Sequence, residues 1–168
     1  LPRTLHPRKW DFDHLAELAR LAGFQYAVFT TKHHNGFCLW DTQTTSFNIM
    51  GTPCGRDLVK EYVEAFRRQG IRVGFYFSPE DFCYLRSQGL SITRTPLEPY
   101  SDAVMAGYRE LLTAQMTELM TRFGKIDVMF FDGGETMRVR VGESLQQLCM
   151  RIAWDHQPGI LITRGAIP

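Results

Sequence analysis

The stretch Ile126-Asp127-Val128-Met129-Phe130-Phe131-Asp132-Gly133-Gly134 decides how this chain is read. A short apolar run that stops at an acid and two glycines reads as a buried strand entering a turn. Side chains alternate along a strand, so Val128, Phe130 and Asp132 share one face while Met129 and Phe131 share the other. A carboxylate at the C-terminal lip of a buried strand is costly unless something pairs with it or uses it. Asp-Gly is also ordinary turn chemistry, so this segment alone favours a turn aspartate. Its neighbours have to decide.

Upstream, the pattern repeats. Residues 11–22 read as a helix capped by Asp11 or Asp13, with Leu15, Leu18, Ala19 and Ala22 as its apolar stripe and Gly23 as its stop. Phe24 to Thr31 reads as a strand, and residues 32–56 as a long connection. A helix capped by Asp57 carries Leu58, Tyr62, Val63 and Phe66 and ends at Gly70. Ile71 to Ser78 is the next strand, followed by a loop from Pro79 to about Pro99. A third helix carries Met105, Tyr108, Leu112, Met116, Leu119 and Phe123 and leads to the strand Lys125–Phe131. Downstream, a helix over Glu143–His156 precedes a strand that ends at Thr163-Arg164.

Alternating helices and strands imply a parallel sheet with helices packed outside it. The turns from helix to strand are short, whereas two connections from strand to helix run to about twenty residues, far beyond the usual length. Long loops at the C-terminal ends of strands are where α/β folds keep their chemistry. No phosphate-binding glycine motif follows any strand, which removes the common nucleotide-binding readings. Polar and aromatic residues at successive strand ends converge best in a closed barrel. The expected fold is therefore α/β, a partial (β/α)8 barrel of about four consecutive units. Four strands would leave two open edges, so the 168 residues are expected to be a fragment of a larger barrel.

Composition narrows the partners. The net charge is +1 and 44% of residues are hydrophobic, with no basic cluster and no apolar run long enough to span a bilayer. Neither nucleic acid nor membrane is an expected partner, and oligomeric state is left open. Cys38, Cys54, Cys83 and Cys149 are irregularly spaced and read as single thiols, although Cys38 and Cys54 share a loop and could pair.

The strand ends carry the candidate chemistry. After the first strand comes Lys32-His33-His34-Asn35-Gly36-Phe37. Adjacent histidines in a regular strand point to opposite faces, so both reach one pocket only if the chain bends, which Gly36 permits. Tyr76 lies on the face of Gly74 and Ser78, a pattern suited to a barrel interior with a hydroxyl near its top. Arg164 closes the last strand, and Trp40 reads as loop packing or a sugar platform. A carboxylate, two histidines, a tyrosine, an arginine and aromatic rings suit a neutral polyhydroxy ligand. A carboxylate among them can attack an anomeric carbon. A metal would need recognisable ligand spacing, and none is expected.

These motifs resemble family 29 of the glycoside hydrolases, the α-L-fucosidases. The matching segments are Lys32-His33-His34-Asn35-Gly36-Phe37 with Trp40 and Thr42, then Gly74-Phe75-Tyr76-Phe77-Ser78-Pro79, then Phe131-Asp132-Gly133. Trp10 and the run Leu18–Gly23 before Tyr26 fit as well. The resemblance implies a retaining enzyme that removes terminal α-L-fucose, with a fucosylated glycan or glycoside as substrate and no cofactor. It puts Asp132 at the nucleophile position. The substrate-binding positions would be His33, His34, Tyr76, Arg164, Phe130 and Trp40.

It further implies a general acid/base glutamate on a later segment. Glu135 and Glu143 are nearby but carry no motif for that role. A preceding first strand with another histidine is expected, and the family's C-terminal β-sandwich has no room in 168 residues. A secreted, periplasmic or lysosomal setting is suggested. The isolated chain is expected to show little or no turnover.

The sequence departs from the family pattern at Asn35, where aspartate is common, and at Phe130, where tryptophan is common. Glu80 and Phe82 interrupt a run where tryptophans are frequent. The competing readings are a sugar-binding barrel without catalysis and a hydrolase built on His33, His34 and Asp132 around a metal.

Overall fold

The computed structural model describes residues 3–91, 100–133 and 142–163. Four strands form one sheet: β1 (Tyr26–Lys32), β2 (Arg72–Phe77), β3 (Val128–Phe131) and β4 (Leu161–Thr163). Their order is β1-β2-β3-β4 and every pairing is parallel. Consecutive parallel strands that lie side by side without reversal are singly wound, which is barrel topology rather than an open doubly wound sheet.

The register stacks the inner face in rows. Val28, Gly74, Val128 and Leu161 lie side by side, and Thr30, Tyr76, Phe130 and Thr163 form the next row toward the C-terminal lip. Gly74 has no space for a side chain, because a Cβ there would lie 3.0 Å from Val128 Cβ and 3.1 Å from Val28 Cγ2. This face is open. Tyr26 is 58% exposed and Leu161 68%.

The other face is the core. Val73, Phe75, Phe77, Met129 and Phe131 alternate with the inner residues and are all fully buried. Each such side chain contributes about 1.5–3 kcal/mol through removal from water. The helices α2 (Leu58–Arg68) and α4 (Asp102–Arg122) bury the stripes that their periodicity predicts, and α5 (Leu145–His156) buries Leu145, Leu148, Cys149, Ile152 and Ala153. Tyr62 of α2 reaches the sheet backbone, where its hydroxyl donates to Ala27 O (2.6 Å) and Gly74 O (3.2 Å).

Helix α1 (Phe12–Leu21) departs from its expected stripe. Asp11 caps it, and its buried residues are Phe12, Ala16 and Ala19, whereas Leu15 and Leu18 are half exposed. Small alanines let α1 lie close to α2, and the leucines instead line an apolar groove with Trp10, Val28 and Phe29. A short helix α3 (Phe82–Ser87) sits inside the loop predicted after the second strand, capped by Asp81 and followed by Gly89 at φ +72°. Six residues are too few to hold a helix by themselves, so local sequence gives little sign of it.

Side-chain bonds to backbone fasten the N-terminal end of the sheet. Gln157 donates to Met120 O (2.7 Å) and Gly124 O (2.9 Å) and accepts from Ile126 N–H (2.8 Å). The Arg67 guanidinium donates to the carbonyls of Phe123 and Lys125. The turn between α4 and β3 is thereby tied to both neighbouring units.

Candidate active site

Three strand ends are joined at the C-terminal lip. Ser78 N–H donates to Lys32 O (3.0 Å), Phe82 N–H to His34 O (2.7 Å), and Asp132 N–H to Phe77 O (3.2 Å). The register of β1 slips between Thr30 and Lys32, and a turn at residues 33–36 follows, with Gly36 at φ +83°. The bend does what a regular strand cannot. It brings His33 and His34 to one side, with ring centroids 4.3 Å apart.

A Cβ at Gly36 would lie 2.8 Å from the Asp81 carboxyl carbon and 2.9 Å from Cys83 Cβ, so a glycine is needed for this approach. Beneath the turn Lys32 is fully buried. Its ammonium lies 3.2 Å from Asp81 Oδ2 and 2.9 Å from Gln115 Oε1, above the Phe77 ring. Asp81 Oδ1 accepts from Tyr84 N–H (2.9 Å), while its own N–H donates to the Tyr108 hydroxyl. Burial, reinforced by the Asp81 charge, pushes the Tyr108 phenol well above its ordinary range. The same network holds Cys38, whose thiol burial pushes up to about 12.

The candidate residues converge above this floor. Tyr76 O–H donates to Asp132 Oδ2 at 2.6 Å. His34 Nε2 lies 3.8 Å from the same oxygen, and His34 Nδ1 lies 2.5 Å from Ser78 Oγ. Rings of His33, Tyr76 and Phe130 form a stack. The His33–Tyr76 centroids are 5.6 Å apart at 6°, and those of Tyr76–Phe130 are 5.5 Å apart at 16°. His34 is buried, His33 is exposed, and the Asp132 side chain retains 22% of its surface. A carboxylate held by a phenol beside imidazoles and a stacked aromatic wall can receive a polyhydroxy ring through both hydrogen bonds and an apolar face.

Trp40 is fully buried and its indole N–H donates to Glu118 Oε2 at 2.8 Å. A ring with no exposed face is no sugar platform, so Trp40 is loop packing, which corrects its inclusion among the substrate-binding residues. Arg164 and Glu135 lie outside the described residues. Glu143 is held by Arg151 (2.9 Å) and lies 3.7 Å from Arg109. Sequence reasoning missed two features: Ser78 as partner of His34, and Glu80, noted only as a departure from pattern. Both depend on loops meeting in space, which spacing does not encode. All four cysteines are free thiols.

His33, His34 and Asp132 offer three ligand atoms within 4.8 Å of one another and could hold a cation. Tetrahedral zinc, with bonds of about 2.0–2.1 Å, needs ligand atoms about 3.4 Å apart. The 3.8 Å between His34 Nε2 and Asp132 Oδ2 is wider than that. Tyr76 already bonds that oxygen, so the cluster suits a hydroxylated ligand better.

A sequence profile of the alpha-L-fucosidase family matches residues 1–164. The alpha-L-fucosidase 1 of Arabidopsis thaliana is 30% identical over 140 residues, covering 80% of this chain and 24% of its own. Alpha-L-fucosidase isoenzyme 1 from Paenibacillus thiaminolyticus superposes with a TM-score of 0.76 at 34% identity, over 96% of this chain and 39% of that one. A family 29 alpha-L-fucosidase from Bacteroides thetaiotaomicron, solved as a trapped covalent intermediate with 2-fluoro-fucosyl fluoride, gives 0.80 at 29% identity over 94% of this chain and 35% of that one. The chain thus spans about a quarter of the length of the plant relative and over a third of these bacterial ones.

Proposed function

This chain belongs to the alpha-L-fucosidase family, and we propose that it supplies the nucleophile-bearing part of a retaining glycoside hydrolase acting on terminal α-L-fucosyl residues. The observation that carries the reading is the Asp132 carboxylate at the end of β3, partly exposed and oriented by the 2.6 Å bond from Tyr76.

In the first step an Asp132 oxygen attacks the anomeric carbon. The bond to the leaving oxygen breaks, and its electron pair takes a proton from a carboxylic acid outside the described residues. In the second step water, deprotonated by that same group, attacks the anomeric carbon and releases Asp132. Tyr76 fixes the carboxylate, and His33 and His34 meet sugar hydroxyls. The rings of Tyr76 and Phe130 offer the apolar face.

The Bacteroides relative supports the covalent route, because its structure holds an intermediate formed with a fluorinated fucosyl donor. The test is intact-mass measurement of the complete protein after incubation with an activated 2-fluoro-fucosyl donor. Such a donor needs little acid assistance, so it probes the nucleophile separately from the acid/base. A stable adduct mapped to Asp132 is expected. A folded protein that binds fucose without forming an adduct would overturn the catalytic reading and leave a sugar-binding barrel.

A further inference from the structure

Glu80 is 3% exposed and sits directly under the Asp132-Gly133 turn, because a Cβ at Gly133 would lie 2.7 Å from its Oε1. Its Oε2 is 3.8 Å from His34 Nδ1. The His34 ring therefore lies between two carboxylates, with Glu80 on its Nδ1 edge and Asp132 on its Nε2 edge. Among the described residues, the ionisable groups nearby include His33, whose ring is tilted beside it at 4.3 Å between centroids, and Tyr76, which bonds Asp132.

Ser78 decides little without Glu80. Its hydroxyl has a single hydrogen, which can go to His34 Nδ1 at 2.5 Å or to Glu80 O at 3.2 Å, while it accepts from Glu80 N–H at 3.1 Å. If Ser78 donated to the ring, the bare Nδ1 lone pair would face a carboxylate oxygen across 3.8 Å of buried space. A proton on Nδ1 turns that repulsion into attraction, and the Ser78 hydrogen then satisfies Glu80 O.

We propose that Glu80 is a positioning residue that, with Ser78, pins the proton and the ring orientation of His34 on its Nδ1 edge, reserving Nε2 for Asp132 and the sugar. The kinetic consequence rests on the fucosidase reading, whereas the protonation pattern does not. Glu80 is too buried to meet a leaving group and acts only through His34.

The experiment is 15N-histidine NMR of the complete protein, in which long-range correlations distinguish a protonated from a bare Nδ1. It is run on wild type, Glu80→Met and Glu80→Gln, alongside turnover of an aryl α-L-fucoside. Wild type is expected to show a protonated Nδ1. Glu80→Met is expected to lose that signature and to lower kcat/KM about 10- to 100-fold, with Glu80→Gln recovering part of both. A bare Nδ1 in wild type would overturn the proposal whether or not the variants fold. So would an unchanged ring pattern in folded Glu80→Met. If the ring pattern moves as expected but no protein turns over substrate, the fucosidase reading fails and the role of Glu80 stands.

Discussion

Tyr76 and Asp132 are 56 residues apart in the chain, yet the Tyr76 hydroxyl donates to Asp132 Oδ2 at 2.6 Å. The parallel register makes this meeting unavoidable: Tyr76 pairs with Phe130, and Asp132 is the next residue on the same face. Tyr76→Phe keeps the stacked ring and removes only the donor. A hydrogen bond to a charged group is worth about 1.5–3 kcal/mol, so kcat/KM of the complete enzyme should fall about 10- to 100-fold. Thermal stability should fall as well, by less than that figure, because the Asp132 side chain is partly exposed to water. Steady-state kinetics beside a melting curve tests both halves.

Asp132→Ala removes the proposed nucleophile. Loss of about 10³-fold or more in kcat is expected, as for other covalent catalysts stripped of their attacking group. Added azide, small enough to enter the space left by the carboxylate, should restore turnover of an aryl fucoside with a good leaving group and yield the inverted glycosyl azide. Product stereochemistry by NMR decides, and a retained product would count against a direct role for Asp132.

Lys32→Met strands the Asp81 carboxylate, which is 3% exposed. Breaking one side of a buried pair costs about 3–5 kcal/mol. Replacing both partners, as in Lys32→Met with Asp81→Asn, should cost less than the single change, because no charge is left unmatched. Urea denaturation of the two variants against wild type gives the comparison.

Gly133→Ala places a methyl group where φ is +89° and Glu80 Oε1 stands 2.7 Å away. The backbone strain alone costs about 1–2 kcal/mol. Glu80 must also shift, so the His34 ring should lose its Nδ1 signature together with the stability. Calorimetry and the same histidine NMR measurement report the two effects.

Burial pushes the thiols of Cys38 and Cys149 up from 9.0 to about 12. A folded-state pKa above the unfolded value contributes stability that is whole below pH 9 and is lost as pH rises toward 12. The folding free energy should therefore decline across that window, and less steeply in Cys149→Ala. In the native protein a thiol reagent should modify the exposed Cys83 and the partly exposed Cys54 well before Cys38 or Cys149. Mass spectrometry of timed samples tests the order.

Much of this was readable from the chain. The stripes of α2 and α4 and the alternation on β3 state plainly which faces are buried, so the sheet and its lip followed from periodicity. The bend that unites His33 and His34 was foreshadowed by Gly36. Other features were hidden for physical reasons. Trp40 and a ligand-binding tryptophan look alike until Glu118 is seen to take its N–H. Leu15 and Leu18 have the spacing of a core stripe, but the close approach of α1 is made by Ala16 and Ala19. Glu80 stands out only as a departure from the family pattern, since its place depends on a glycine 53 positions later leaving room for it.

The fastenings made by Gln157 and Arg67 lie at the end of the sheet opposite Asp132. The Asp132 pole carries the candidate chemistry together with the buried Lys32–Asp81 pair, while the opposite pole carries fastening alone. The departures Asn35, Glu80 and Phe130 all fall at the Asp132 pole, two in its loops and one on β3. Change at that pole alters what is presented, whereas the frame that presents it is fastened at the other.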